Sequence, residues 1–356
     1  MKGERHVKKI VITEAKSLWC KWRTTFASCV CLLAVLFPEV SVGAPATVKI
    51  GVGTGIGYLP LQVMVKNQVL EQVSRKSGLG EVKTELVEFP TASAMTDALL
   101  SGSIQYASGG VSTFAVLWAK AEGGANQVRG IGALVSMPMY LNTRNPRIKT
   151  IRDFDERDRI GVAGIKSSYQ AMLIQMAAAE AFGFENYAKL DPLTVAVSNP
   201  NGVIALGNPM SEINTHFTPP PFAYWERKLP GVHTVLTSYD ILGGPATLNM
   251  VWAANRFADE NPKLHAAFWK ALQEATAQIN ANKTAAAQIY LQASGDKKST
   301  VAEIMELLND PQIIYNVTPN RVMRVVDFLV KAGAIKRKAS TWGELFFPEV
   351  QVLPGS

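Results

Sequence analysis

The stretch IGVGTGIGYLP, Ile50 to Pro60, sets four glycines at alternate positions directly after the apolar run TVKIGV (Thr47–Val52). The helix-like PLQVMVKNQVLEQV follows, with Pro60 in its first turn, where a missing N–H costs nothing. Strand, glycine turn, helix is the opening of an α/β unit. It is not a nucleotide cradle. A dinucleotide fingerprint needs G-x-G-x-x-G, but Ile56 stands at the third glycine counted from Gly51, and Tyr58 counted from Gly53. No G-x-x-x-x-G-K-[ST] occurs. The glycines therefore read as room for a close approach at the strand's exit, either presenting Tyr58 at a cleft or making a plain turn with Tyr58 in the core.

The alternation of strand-like and helix-like runs continues from there, predicting an α/β fold with mostly parallel sheets. EVKTELVEF alternates, TASAMTDALLSG reads as a capped helix ended by Gly102, and SIQYAS is a strand that turns at Gly109-Gly110 into the helix VSTFAVLWAKA. GIGALVSMPMYLNTR is a long extended run broken by Pro138. A second α/β unit follows: RIGVAG, then the helix in IKSSYQAMLIQMAAAEAFG, then PLTVAVS, SEINTHF and VHTVLTS as strands, with ATLNMVWAA leading away. The last hundred residues are helical. Leu264, Ala267, Phe268, Ala271, Leu272, Ala275 and Ile279 form one stripe at i, i+3, i+4, i+7 spacing. TVAE (Thr300 to Glu303) is a capping box, and Thr318-Pro319 is expected to open the last long helix.

Residues 1–44 differ from the rest. A basic segment precedes the apolar FASCVCLLAVLF (Phe26 to Phe37), and small residues follow at Val42 and Ala44, the pattern of a cleaved export signal. All three cysteines, Cys20, Cys29 and Cys31, fall in this leader, so the processed chain has no disulfide or thiolate available. The leader also carries much of the basicity: the chain's net charge of +7 falls to +3 over the remainder. That is too little, and too scattered, for nucleic acid. A soluble, exported monomer is expected.

Enzyme signatures are absent beyond the leader. His216, His233 and His265 are dispersed, and no H-E-x-x-H, G-x-S-x-G or carboxylate cluster at ligand spacing occurs. No catalytic residue, metal or cofactor is expected. What recurs is a strand, a turn of small residues, and a helix that begins with hydroxyls. After Gly110 come Ser112 and Thr113; after Lys166 come Ser167 and Ser168. A helix amino end gathers free N–H groups and partial positive charge, so it attracts anions. The serines also fit plain N-caps, Ser167 with Gln170 forming a capping box. Two such termini, one per unit, predict a shared anion site. The stiff THFTPPPF (Thr215 to Phe222) either presents His216 and Phe217 at that site or packs them in the core.

Taken in order, KIGVGTGIGYLPLQVMVKNQVLEQ, KTELVEFPTAS, IRDFDERDRIGVAGIKSSY and the helical last third resemble the nitrate/taurine/alkanesulfonate-type solute-binding proteins of ABC importers. The resemblance covers essentially the whole chain after the leader. It implies a two-lobed type II periplasmic binding protein fold with two hinge crossings, here GALVSMPMY and ATLNMVWAA. Lobe 1 is then residues 45–135 plus 249–356, and lobe 2 is 136–248. It implies no enzyme, but capture of a small organic anion and delivery to an ABC permease and its ATPase. Departures leave the ligand class open: NQVLEQ where relatives carry a glycine-phenylalanine pair, Gln105 where an acidic residue is common, and GNPMSEIN in the second lobe. The alternatives are an enzyme on the same fold acting on a pyrimidine or related precursor, and an extracytoplasmic sensor subunit. The site residues expected are Tyr58, Gly110, Ser112, Thr113, Lys166, Ser167, Ser168, His216 and Phe217.

Overall fold

A computed structural model describes residues 47–356, apart from Glu122, Ala125, Ser167 and Lys298. The leader, its cysteines and its cleavage pattern lie outside the described residues. In chain order the strands are β1 (Thr47–Val52), β2 (Lys83–Glu88), β3 (Tyr106–Gly110), β4 (Val128–Ser136), β5 (Tyr140–Thr143), β6 (Ile160–Val162), β7 (Thr194–Ala196), β8 (Thr215–Thr218), β9 (His233–Thr237) and β10 (Thr247–Ala254).

They form two five-stranded sheets, ordered β2-β1-β3-β10-β4 and β7-β6-β8-β5-β9. In the first, β1 is parallel to β2 and β3, whereas β10 is antiparallel to both β3 and β4. The second repeats the plan, with β6 parallel to β7 and β8 and with β5 antiparallel to β8 and β9. Each sheet thus has one strand running against the others. In the first it is β10, which arrives only after the second sheet is complete. In the second it is β5, entered directly from β4 through Met137–Met139. GALVSMPMY and ATLNMVWAA are the segments that pass between sheets.

Both sheets are covered on their faces, so their inner strands read as continuous apolar runs rather than alternating ones. Trp252, Tyr106 and Phe114 are fully enclosed in the first half, Leu173 and Phe217 in the second. The helix Pro262–Ala281 buries the whole predicted stripe, and Phe268 stacks on Tyr106 with ring centroids 3.7 Å apart. The Thr300–Glu303 capping box forms as read.

Local readings changed in three places. PLQVMVKNQVLEQV is two helices, Leu59–Lys66 and Val69–Lys76, because Gln68 takes the left-handed conformation at φ 51°. The last long helix begins at Val322 rather than at Pro319, since Arg321 at φ 55° interrupts the turn between them. SEINTHF contributes only its end to β8; Ser211 and Asn214 are instead tied by their carbonyls to Arg144 and Thr143.

Candidate functional site

In an open α/β sheet, ligands bind beyond the carboxyl ends of strands where the chain's crossovers diverge. In the first sheet β1 sends its connection to β2 on one side, and β2 returns to β3 on the other, so that point lies between β1 and β3. In the second sheet the same logic puts it between β6 and β8. Four strand exits then matter: Gly53–Tyr58, Gly110–Thr113, Ala163–Ser168 and Thr218–Phe222.

These exits meet in pairs. A Cβ placed on Gly110 would lie 3.1 Å from Tyr169 Cβ, and one on Gly55 would lie 3.6 Å from Phe222 Cε2. The divergence points of the two sheets are therefore apposed. Tyr169 and Phe222 are both buried, at 7% and 5% exposure, and fill the seam.

The β1 exit is shaped by its glycines. Gly55 adopts φ 112°, ψ 170°, open to glycine alone, and swings the chain into the short turn Ile56–Tyr58. Tyr315 donates its hydroxyl proton to the Ile56 carbonyl at 2.9 Å and pins that turn. A side chain at Gly57 would meet Asn249 Oδ1 at 2.4 Å. Tyr58 turns back over Gly53, and its hydroxyl makes hydrogen bonds with the Asn249 side chain and the Gly53 backbone. Burial pushes the phenol up to about 12, against those hydrogen bonds, so it is a neutral group at neutral pH. Asn249 itself sits at an irregularity of β10, opposite Gly110.

At the β3 exit, Gly110 precedes the helix Val111–Lys120 and offers no side-chain cap. Ser112 in its first turn is 4% exposed, and its Oγ is buried without a partner; Thr113 is partly exposed. An uncapped amino end with an unpartnered hydroxyl in its first turn is an acceptor-seeking surface. At the β8 exit the Oγ1 of Thr218 is likewise buried and unpartnered.

The β6 exit differs. Ser168, not Ser167, caps the helix Tyr169–Phe182: its Oγ accepts from the Ala171 N–H at 3.2 Å and donates to the Gly164 carbonyl at 2.7 Å. Ser167 lies outside the described residues. Lys166 is exposed and left-handed at φ 58°.

His216 and Phe217 are placed in the core. Phe217 has no exposure and packs in the apolar cluster. His216 is equally enclosed: Nδ1 hydrogen-bonds Glu226 Oε1, and a side chain on Gly202 would meet its ring at 2.2 Å. Of the two readings weighed for THFTPPPF, the geometry has these side chains pack behind the seam, and Phe222 is the residue of that segment that reaches across. Sequence reading missed Asn249, Tyr169, Thr218 and Phe222. Tyr169 directly follows the hydroxyl pair, and Asn249 is the lone amide in the apolar run ATLNMVWAA, so both carried a visible signal.

Two surface depressions lie elsewhere. One of about 440 Å³ is bordered by His265, Trp269, Phe347 and Glu349, and one of about 260 Å³ by Val63, Asn67, Gln278 and Ile289. Neither touches a strand exit, and the topology outweighs their size. Among the described residues no group of three His, Cys, Asp or Glu side chains could hold a metal ion.

No family model matches the chain, and no curated protein matches it. Solved structures do. The periplasmic aliphatic sulphonate binding protein SsuA from Escherichia coli superposes with TM-score 0.63 at 18% identity, over 85% of this chain and 99% of that one. The periplasmic nitrate-binding protein NrtA from Synechocystis PCC 6803 gives 0.63 at 16% identity, over 83% of each. A Candida albicans protein described as having the generic periplasmic binding protein structural fold gives 0.60 at 16%, over 82% of this chain and 92% of that one. The chain has the periplasmic binding protein fold. The expectation drawn from the ordered sequence segments is met at that level, and the two sheets described above are the two halves of that fold. Among the described residues no helix is long and apolar enough to cross a membrane.

Proposed function

We propose that this protein is the periplasmic solute-binding component of an ABC importer and captures a small anion between its two halves, an aliphatic sulfonate or taurine-like one, or nitrate, bicarbonate or a carboxylate. Lobe 1 would comprise residues 45–135 and 249–356 and lobe 2 residues 136–248, with the boundaries moved to Ser136 and Thr247 by the ends of β4 and β10. The observation that carries the reading is the apposition of the two divergence points, with Ser112 Oγ and Thr218 Oγ1 buried and unpartnered beside them. Neighbours named for binding aliphatic sulphonates and nitrate support an anion as the solute.

The chemistry is binding without turnover. The uncapped amino end of Val111–Lys120, which follows Gly110, supplies backbone N–H groups and partial positive charge. Ser112 and Thr113 add hydroxyl donors, Lys166 adds charge at the rim, and the first turn at Ser168 faces from the other half. Tyr58 orders the β1 exit as a neutral donor and acceptor. His216 and Phe217 stiffen the β8 exit from within. Micromolar capture needs about 8 kcal/mol. Hydrogen bonds to a charged group contribute about 1.5–3 kcal/mol each, so four or five at the upper end of that range are needed once association costs are met. Solute bridging both halves stabilises the closed arrangement, and that arrangement is what a permease and its ATPase would recognise.

Isothermal calorimetry of the processed protein against taurine, alkanesulfonates, nitrate, bicarbonate and dicarboxylates tests this. At least one should bind with a Kd in the micromolar range or below, and Ser112→Ala should weaken it. Silence across the panel overturns the reading.

A further inference from the structure

We infer that Tyr169 is the specificity-determining wedge of the site and limits the solute to an anion with a compact, short-tailed body. This deepens the solute-capture reading and rests on it. Gly110 carries the argument. Its φ of −70° and ψ of 149° suit any residue, so conformation does not explain a glycine there. Space does: a Cβ would lie 3.1 Å from Tyr169 Cβ, 3.4 Å from Cγ and 3.5 Å from Cδ1. Tyr169 thus rests directly on the residue that opens the uncapped helix. Its far end reaches the first sheet's crossing strand, with the hydroxyl 3.4 Å from the Thr247 carbonyl. One side chain from the second half therefore spans from the anion-attracting helix end to β10.

The side chain is buried, and only a weak hydrogen bond holds its tip. A solute seated at the Ser112 end must share that volume with it. On this proposal a head group sits beside the ring, and a long tail must displace it. Size, not charge, is then the discriminating variable at this wall.

The test is a calorimetric Kd series with nitrate and with n-alkanesulfonates of increasing chain length, on the wild type, Tyr169→Leu, Tyr169→Ala and Gly110→Ala. Wild type should bind the short members best. Tyr169→Ala should shift the optimum to longer chains, with the long-to-short affinity ratio rising at least 10-fold; each newly buried methylene is worth about 4-fold. Tyr169→Leu should shift it less and serves if the alanine variant fails to fold. Gly110→Ala, which crowds the ring, should narrow the range further. Binding of long chains only by the Tyr169 variants also supports the wedge. If wild type binds and the length profile is the same in every variant, the wedge is overturned while solute capture stands. If no protein in the set binds any member, compact-anion capture fails and the wedge fails with it.

Discussion

His216 and Glu226 are hydrogen-bonded through Nδ1 and Oε1, and neither side chain has any solvent exposure. Asn142 donates to the other carboxylate oxygen at 2.9 Å, and Gly202 lies against the imidazole. The pair joins β8 to the helix Phe222–Arg227, whose first residue reaches Gly55. It fixes the angle at which that corner of the seam is presented.

Removing one partner would leave the facing Nδ1 or Oε1 enclosed without its hydrogen bond. Glu226→Ala and His216→Ala are each expected to cost about 3 kcal/mol or more of stability. Chemical denaturation measures this. A His216 variant that kept full stability but lost solute affinity would instead return the ring to the binding surface.

Ser112 predicts the opposite signature. Its Oγ is buried with no partner, so the folded protein carries an unsatisfied group. Ser112→Ala should leave the melting temperature unchanged or raise it. Solute affinity should nevertheless fall about 10- to 100-fold, the worth of one hydrogen bond to a charged group. Loss of stability together with unchanged affinity would assign the hydroxyl to packing.

What the sequence makes legible here is local. The strand-turn-helix at Ile50 to Pro60, the apolar stripe from Leu264 to Ile279 and the Thr300–Glu303 cap depend on neighbours within a few positions, and each forms. The alternation around the seam is also read correctly, because glycines and hydroxyls mark it. Contacts from far along the chain are invisible in one sequence. Asn249 reaches Gly57 across nearly two hundred residues, and Gln105, which departs from the acidic residue common in the family the sequence resembles, accepts from the Lys49 N–H at 2.9 Å and ties the start of β3 to β1. THFT fails for a related reason. A strand buried on both faces gives no period to say which side chains face a cleft, so His216 and Phe217 read equally well either way.

A second set of links crosses between the halves away from the strand exits. Tyr224 donates to the Asp310 carboxylate, Lys228 pairs with Glu303 at 2.9 Å, and Tyr239 donates to the Gln312 carbonyl at 2.9 Å. Hydrogen bonding from Lys228, then from Thr300, draws the Glu303 carboxyl down to about 2. The folded state thus holds its proton less tightly than the unfolded one, so this contribution is complete above pH 4.5 and is lost as pH falls towards 2. Glu303→Gln should flatten the acid limb of the stability profile in that window, and high salt should shrink the difference because the pair is exposed. An unchanged acid limb in the variant would remove Glu303 from the link.

The tyrosines make the alkaline counterpart. Burial raises Tyr58 to about 12 and lifts Tyr106, Tyr169, Tyr239 and Tyr315 as well. Unfolded, these phenols ionise near 10, so above that pH the unfolded chain gains stability that the folded chain does not share. Stability should be level through pH 9 and drop steeply between pH 10 and 12. Absorbance at the phenolate band should show most of this group silent until the protein unfolds, so that ionisation and loss of the circular dichroism signal coincide. Solute that seals the seam over Tyr58 and Tyr169 should delay both together. Smooth titration of all tyrosines near pH 10 with the fold intact would contradict the enclosure of Tyr58 against Asn249, and with it the ordered β1 exit on which the binding surface depends.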